Sequence, residues 1–175
     1  MKTREGIFRK ITASVTACTK SHFNNALGIE FLSHFSSHGD IDALVLRNLT
    51  AIIGLGGSVN FLVAFSFDSV LAARLLEIEI EGLRIDDSER EQMLFNTAAE
   101  TANIVLGHAS TDLVQKGSDV DMSPPLVLEA AGGRLRCPKG AYFSSISLNT
   151  HYGWLDIDFI TPKQLFGEKI TEIVE

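Results

Sequence analysis

Apolar residues recur every three or four positions near the start of the chain. Phe8, Ile11, Val15 and Cys18 follow this spacing, with charged and hydroxyl residues between them. Because one face of an α-helix repeats about every 3.6 residues, the spacing predicts an amphipathic helix from about Arg4 to about Asn25.

Three runs of aliphatic, β-branched and aromatic residues follow, from Ile29 to Phe35, from Leu44 to Leu55 and from Val59 to Phe67. The turn-like segments SSHGD and GGS separate them. We therefore expect three strands, of which the last two form a hairpin. The uncharged stretch from Leu49 to Phe67 approaches the length of a membrane span, but its glycines and Asn60 favour a buried hairpin, so no membrane segment is predicted.

Two helix starts come next. Asp68 and Ser69 predict the N-terminal cap of a short helix with the sequence SVLAARLLEIE. A second start lies at Asp86 and Asp87, where acidic residues suit the helix dipole. The pattern then continues without proline to about Gly117, which predicts the longest helix of the chain, near thirty residues.

The last third of the chain has the pattern of strands. Its apolar segments are SPPLVLEAAG, GAYFSSISLNT and HYGWLDIDFIT, and the last two predict a hairpin that turns at about residues 151–153. Alternation predicts a wetter face that carries Trp154, Asp156 and Asp158. The tail from Pro162 to Glu175 is expected to form a short closing helix.

The two halves of the chain share one order of elements, which is a helix, a single strand and a hairpin. This order indicates an internal pseudo-duplication. Helices gathered beside a largely antiparallel sheet predict a two-layer α+β fold, and we expect residues 1–175 to form one domain.

Composition narrows the function. The 175 residues are 45% apolar and 21% charged, with a net charge of −7. A nucleic acid or an anionic membrane requires a basic surface, so a small ligand or a protein is the expected partner. Arg9 and Lys10 interrupt the segment where a signal peptide would need its apolar core, so a cytoplasmic location is expected.

Chemistry-bearing residues outside the long helix form no recognisable site. Cys18 and Cys137 are predicted to be reduced packing residues. Asp119 and Asp121 are expected in a solvated turn, and no metal site is predicted. The histidines lack ligand spacing and no nucleophile elbow is present, so neither a resident cofactor nor an enzyme with its own deep pocket is indicated. The histidines are His22, His34, His38, His108 and His151.

The long helix carries an unusual polar series. On a helical wheel its apolar residues occupy one arc, whereas Asn96, Glu100, Asn103 and Gly107 fall within a second arc of roughly 60°. We call these four residues the ridge. The spacing alone is also compatible with an ordinary solvated helix face.

Pro125 extends the series to the pattern E-x2-N-x21-P, which begins at Glu100. With this pattern, ETANIVLGHASTDL resembles the signature helix of the CheC/CheX family of chemotaxis phosphatases. The segment IIGLGGSVNFLVAFSFDSVLAARLL is similar to the family's strand and following helix. A single Glu and Asn pair resembles the one-site CheX branch more than the two-site CheC branch.

The resemblance implies removal of phosphate from the phosphoaspartate of a CheY-like receiver domain. It implies that Asn103 orients the attacking water, that Glu100 docks the receiver, and that the receiver supplies Mg²⁺. It further implies a homodimer formed through sheet edges and a structural role for Pro125. Asn96 and Gly107 are expected to contact the partner, and Asn96 departs from the Asp or Ser of the family pattern.

Two alternatives remain at this stage. Because Asn96 departs from the pattern, the chain could bind a receiver domain without hydrolysing its phosphate. The chain could also be a structural adaptor in which the ridge is only a solvated face.

Overall fold

The structure is a computed structural model that describes residues 4–57, 60–115, 117 and 119–162. The chain folds into helices packed against one antiparallel sheet. The elements are α1 (Arg4–Ser21) with a π-helical turn (His22–Ala26), β1 (Phe31–Val45), β2 (Leu49–Gly57), β3 (Phe61–Phe67), α2 (Ser69–Glu79), α3 (Asp87–Gln115), β4 (Val120–Met122), β5 (Leu126–Glu129), β6 (Arg134–Thr150) and β7 (Gly153–Pro162).

The seven strands form one sheet in the order β1-β6-β7-β3-β2-β4, and β5 pairs with β2 beside β4. All pairings are antiparallel. The single strand of each half lies next to the hairpin of the other half, and β7 and β3 meet at the centre. This arrangement confirms the α+β class, and it has the pseudo-duplicated order that the sequence predicted.

The main core lies between the helices and the inner face of the sheet. Alternate residues of β3, namely Phe61, Val63, Phe65 and Phe67, are buried in it together with the apolar face of α3. Each large apolar side chain buried in this way contributes about 1.5–3 kcal/mol to folding. The core therefore holds α3 firmly against the sheet.

A second, smaller cluster covers part of the outer face of the sheet, away from the helices. It contains Leu44 and Leu46 packed with Ile52, Ala64 and Ile160. The pairing of β1 with β6 shifts register after Ile41, and the two chain segments beyond the shift fold over this face. We call these segments, residues 41–46 and 134–137, the flap.

The structure corrects several predicted strand boundaries. The segment SSHGD was predicted as a loop but lies within β1, because Ser36–Asp40 pair with residues 142–146 of β6. Conversely, the predicted strand from Leu44 to Leu55 is broken between Val45 and Leu49. Strand pairing over a long sequence distance overrides the turn propensity of Ser, Gly and Asp.

Two side-chain predictions are also wrong. Asp68 precedes α2 but its side chain does not cap the helix; it accepts hydrogen bonds from the Trp154 amide and from Arg47. Asp158 was predicted on a wetter face but is only 2% exposed, because the flap covers that part of the sheet.

Several other local predictions agree with the structure. Helix α3 has nearly its predicted bounds, and the turn before β7 lies at His151 and Tyr152. Cys18 packs against the main core and Cys137 against the second cluster. The predicted tail helix falls almost entirely on residues 163–175, which lie outside the described residues.

Candidate functional site

The ridge is carried by α3, the longest helix. Its 29 residues begin with acidic side chains in the first turn, Asp87 and Glu89, and contain no proline. Acidic groups at the start of a helix interact favourably with its dipole. The buried face of the helix consists of small and aliphatic side chains: Ala98, Ala102, Val105, Leu106, Ala109 and Leu113.

Side-chain contacts fix α3 on both sides. The Thr97 hydroxyl donates to the carboxylate of Glu79 at the end of α2. Nearer the other end, the Ser14 hydroxyl of α1 donates to Asp112, at 3.0 Å between the oxygens. These contacts join α3 to two other helices, so the ridge stands on a rigid support.

The structure brings Glu100 and Asn103 together on the accessible surface of α3. Glu100 is exposed and Asn103 is half-buried. They are three residues apart, which places them about 4.5 Å apart along the helix axis. Within the described part of the chain, neither side chain forms a hydrogen bond or an ion pair. Their polar atoms are therefore available to an external group.

Glu100 dominates the local electrostatics of the ridge. From residue 93 to residue 107 it is the single charged side chain of the sequence. An isolated carboxylate on an exposed helix face is suited to a cation on another molecule. The carboxamide of Asn103 offers both a donor and an acceptor.

Asn96 occupies the ridge one turn before Glu100 and has an intramolecular partner. The Gln92 side-chain amide donates to the Asn96 side-chain oxygen, at 3.1 Å between the two atoms. The two residues are four positions apart, which is the spacing of neighbours on a helix surface. This spacing is visible in the sequence, but the contact between Gln92 and Asn96 was not predicted from it.

Gly107 leaves the far end of the ridge open. A Cβ atom added there would meet nothing within 4 Å, and the helix remains regular through this position. Glycine costs about 1 kcal/mol relative to alanine in a helix interior. The packing of this chain gives no reason for a glycine here, in contrast to Gly57, where an added Cβ would clash with the Asp119 carbonyl oxygen.

Pro125 lies in the sheet edge beside α3. It is part of the irregular segment between β4 and β5, where the Ser123 hydroxyl accepts from the Gly54 amide at 2.9 Å. Met122, just before this segment, contacts Ser110 of α3 at 3.3 Å between sulfur and oxygen.

The remaining candidates are not assembled into a site. Asp119 and Asp121 are both exposed, and Asp121 lies in β4 rather than in the predicted turn. Over the described ranges, no group of three or more His, Cys, Asp or Glu side chains could hold a metal ion. The pKa of His22 is lowered by burial and by the nearby His108.

None of the helices that the structure describes has the length and apolar character needed to cross a membrane.

Comparisons with known proteins agree with this fold and sequence. Residues 49–149 match the family model described as chemotaxis phosphatase CheX. A chemotaxis protein CheX from Desulfovibrio desulfuricans superposes with a TM-score of 0.74 at 17% identity, covering 85% of this chain and 97% of that chain. A CheC-like superfamily protein from Shewanella sp. PV-4 gives 0.72 at 16% identity, covering 86% and 96%.

A third similar structure is the CheX–CheY–BeF3–Mg²⁺ complex from Borrelia burgdorferi. Its TM-score is 0.65 at 22% identity, and the match covers 86% of this chain and 96% of that chain. No curated protein sequence matches the chain. The family model spans more than half of the 175 residues and contains α3 with the ridge, so this chain belongs to the CheX family of chemotaxis phosphatases.

Proposed function

We propose that the chain hydrolyses the aspartyl phosphate of a CheY-like receiver domain, with Asn103 and Glu100 as its working residues. The observation that carries the proposal is that both side chains lie on an exposed helix face and have no described partner within the chain. Membership of the CheX family supports the reaction class. We place the activity in the cytoplasm, as expected from the sequence.

Asn103 is the proposed water-positioning residue. Its carbonyl oxygen accepts a hydrogen bond from a water molecule, and its NH2 group donates to a phosphoryl oxygen. The water attacks phosphorus in line as the bond to the aspartyl oxygen breaks, which yields phosphate and a free aspartate. An aspartyl phosphate is already activated, so positioning accounts for most of the required acceleration.

Mg²⁺ belongs to the receiver in this proposal, where it would neutralise charge on the phosphoryl oxygens. The Borrelia burgdorferi relative was solved with CheY, Mg²⁺ and BeF3, a mimic of the phosphoryl group. In our chain the described residues form no metal-binding cluster. Its own contribution is therefore the ridge.

Glu100 is the proposed docking residue. It lies one helical turn from Asn103, and its carboxylate is suited to a lysine or arginine of the receiver. This contact would hold the receiver so that its phosphoryl group faces the carboxamide of Asn103. Asn96 and Gly107 extend the contact along the helix.

We also propose a homodimer that pairs through β1. This strand lies at the edge of the sheet and spans 15 residues, with Leu32 and Phe35 more than half exposed. A long exposed edge with apolar side chains favours pairing with another strand. The ridge lies on α3, close to the opposite edge, so two receivers could bind to one dimer.

A receiver-binding module with little activity is the second candidate. The observation that favours it is Asn96, which departs from the Asp or Ser of the family pattern and whose side-chain oxygen is already bonded to Gln92. Such a module would bind a phosphorylated receiver without shortening the lifetime of its phosphate.

The two candidates differ in one experiment. Phosphate release from a phosphorylated, Mg²⁺-loaded receiver domain is followed with and without the protein, and binding is measured with the BeF3-activated receiver. Acceleration supports the phosphatase. Binding without acceleration, across several receivers of the same organism, supports the binding module. The absence of both binding and acceleration would contradict both candidates.

A further inference from the structure

A buried carboxyl group lies on the outer face of the sheet, away from the ridge. Asp158 of β7 pairs across the sheet with Ala64 of β3 and with Ser145 of β6. Asp158 is 2% exposed and Ala64 is completely buried. The carboxyl group therefore lies in the middle of the sheet without contact with bulk water.

The flap covers this position. Its residues Leu44 and Leu46 pack in the same cluster as Ala64, the direct cross-strand neighbour of Asp158. Cys137, also in the flap, is close enough for the charge of Asp158 to act on its thiol. Removal of the flap would expose both the carboxyl group and the apolar strip around Ala64.

The groups around Asp158 give its ionised form little support. Ser145 donates a hydrogen bond to it, but Asp156 on the same face of β7 repels its charge. Arg47 attracts the charge only from a distance, because its guanidinium group is bonded to Asp156 and Asp68. Asp42 adds a further negative charge on the flap, near Cys137.

These surroundings change the titration of Asp158. Burial raises the pKa of Asp158 to about 7, the hydrogen bond from Ser145 opposes the rise, and the charge of Asp156 adds to it. The carboxyl group is therefore neutral in slightly acidic solution and ionises near neutral pH.

We propose that Asp158 is a pH-sensitive latch, so that the flap stays closed while this carboxyl group is neutral and opens when it ionises. A neutral carboxyl group tolerates burial with one hydrogen bond, whereas a carboxylate requires water or a cation. Opening admits water to Asp158, and its proton passes to solvent. It also uncovers the strip formed by Ile52, Ala64 and Ile160.

The sign of the effect follows from the two forms of the flap. In the closed form Asp158 has a raised pKa of about 7, and in the open, hydrated form it returns toward its ordinary value of 3.8. Between these values the closed form binds more protons, so the opening equilibrium rises by up to about tenfold per pH unit. Above about pH 7 it levels off, because both forms are then ionised.

Hydrogen exchange of backbone amides in the full chain tests the latch. Protection factors, corrected for intrinsic exchange, are compared between about pH 5 and about pH 9 for residues 41–46 and 134–137. We expect flap protection to fall by roughly ten- to a hundredfold between about pH 5 and pH 7, and then to remain constant. Amides of α3 from Ala98 to Leu106 should keep their protection throughout.

Variants separate the latch from general loosening. Asp158→Asn should remove the pH dependence. Asp156→Asn, on the same strand, should retain it but make flap protection constant from a lower pH, because the negative charge that raises the pKa of Asp158 is removed. Ser145→Ala should raise the pH at which flap protection becomes constant, because it removes the hydrogen bond that favours the carboxylate of Asp158. This variant keeps the test valid if Asp158→Asn does not fold. The proposal would be overturned if flap protection in the parent does not depend on pH, or if its pH dependence persists in Asp158→Asn. It would also be overturned if the amides of α3 lose as much protection as those of the flap.

Discussion

The ridge and the surroundings of Arg47 contain similar polar groups, but those around Arg47 are hydrogen-bonded within the chain and two of those on the ridge are not. Arg47 donates to Asp156 and to Asp68, and its backbone amide donates to Ser66, with a distance of 2.7 Å to the hydroxyl oxygen. Its guanidinium group also lies 5.8 Å from the ring centre of Trp154. On the ridge, by contrast, the carboxylate of Glu100 and the carboxamide of Asn103 have no partner among the described residues.

The difference separates two uses of polar residues. The Arg47 group ties the start of α2 to β7, since Asp68 accepts from both Arg47 and the Trp154 amide. Its polar atoms are satisfied within the fold and stabilise it. The ridge contributes little to stability, because its side chains are hydrated in the isolated chain. The polar atoms of Glu100 and Asn103 therefore gain partners only when another molecule binds.

The largest effect on stability is expected from the Arg47 group. Asp68→Ala should lower the free energy of unfolding by about 2 kcal/mol, because it leaves part of Arg47 and the Trp154 amide without an acceptor. Urea denaturation measures this change. Glu81→Ala, the control at an exposed acid after α2, should stay within about 0.5 kcal/mol of the parent. A loss of receiver affinity in folded Asp68→Ala would contradict the view that the Arg47 group serves stability and the ridge serves binding.

A smaller effect, on binding alone, is expected at Glu100. Glu100→Gln should weaken binding of the BeF3-activated receiver by about tenfold, which corresponds to about 1.4 kcal/mol, and should leave unfolding unchanged. Titration calorimetry or fluorescence measures the affinity. Glu91→Gln removes one acidic charge from α3 off the ridge and is the matched control. If both variants lose the same affinity, general electrostatics rather than docking at Glu100 explains binding.

Gly107 should respond in opposite directions in the two measurements. Gly107→Ala should raise the free energy of unfolding by about 0.5–1 kcal/mol, because alanine favours the helix and its methyl group meets no neighbour. Receiver affinity should fall several-fold if the partner surface approaches the helix here. Unchanged affinity would remove Gly107 from the contact surface while leaving Glu100 in it.

Asn96 should give the smallest change. Asn96→Asp places a second negative charge four residues before Glu100, so unfolding should become easier by about 0.3 kcal/mol at low salt. Asn96 lies about 10 Å along the helix from Asn103, so turnover should change by no more than a few-fold. A large gain in turnover would show that the parent residue limits catalysis, in agreement with the binding-module candidate.

The sequence predicted those features that depend on local periodicity. Helix α3 and the shared face of Glu100 and Asn103 follow from the spacing of polar and apolar residues over its 29 positions. Their proposed roles came from the family resemblance, because spacing alone was compatible with a solvated face. The hairpin before Trp154 also follows from a local turn signal.

Features that depend on distant segments were missed. The full length of β1 requires its pairing with β6, more than a hundred residues later, so the loop predicted at His38 and Gly39 could not be excluded from local propensity. The burial of Asp158 depends on the flap, which alternation along β7 cannot reveal. The partners of Asp68 likewise come from a different part of the sheet.

Single-turnover phosphate release tests most directly the central claim, which is that the unpaired side chain of Asn103 on the ridge performs the chemistry. A phosphorylated, Mg²⁺-loaded receiver is mixed with saturating amounts of either the parent protein or Asn103→Ala. We predict that Asn103→Ala binds the BeF3-activated receiver with the affinity of the parent, unfolds at the same urea concentration, and loses at least about a hundredfold in rate. An unchanged rate in correctly folded, receiver-bound Asn103→Ala would contradict the account.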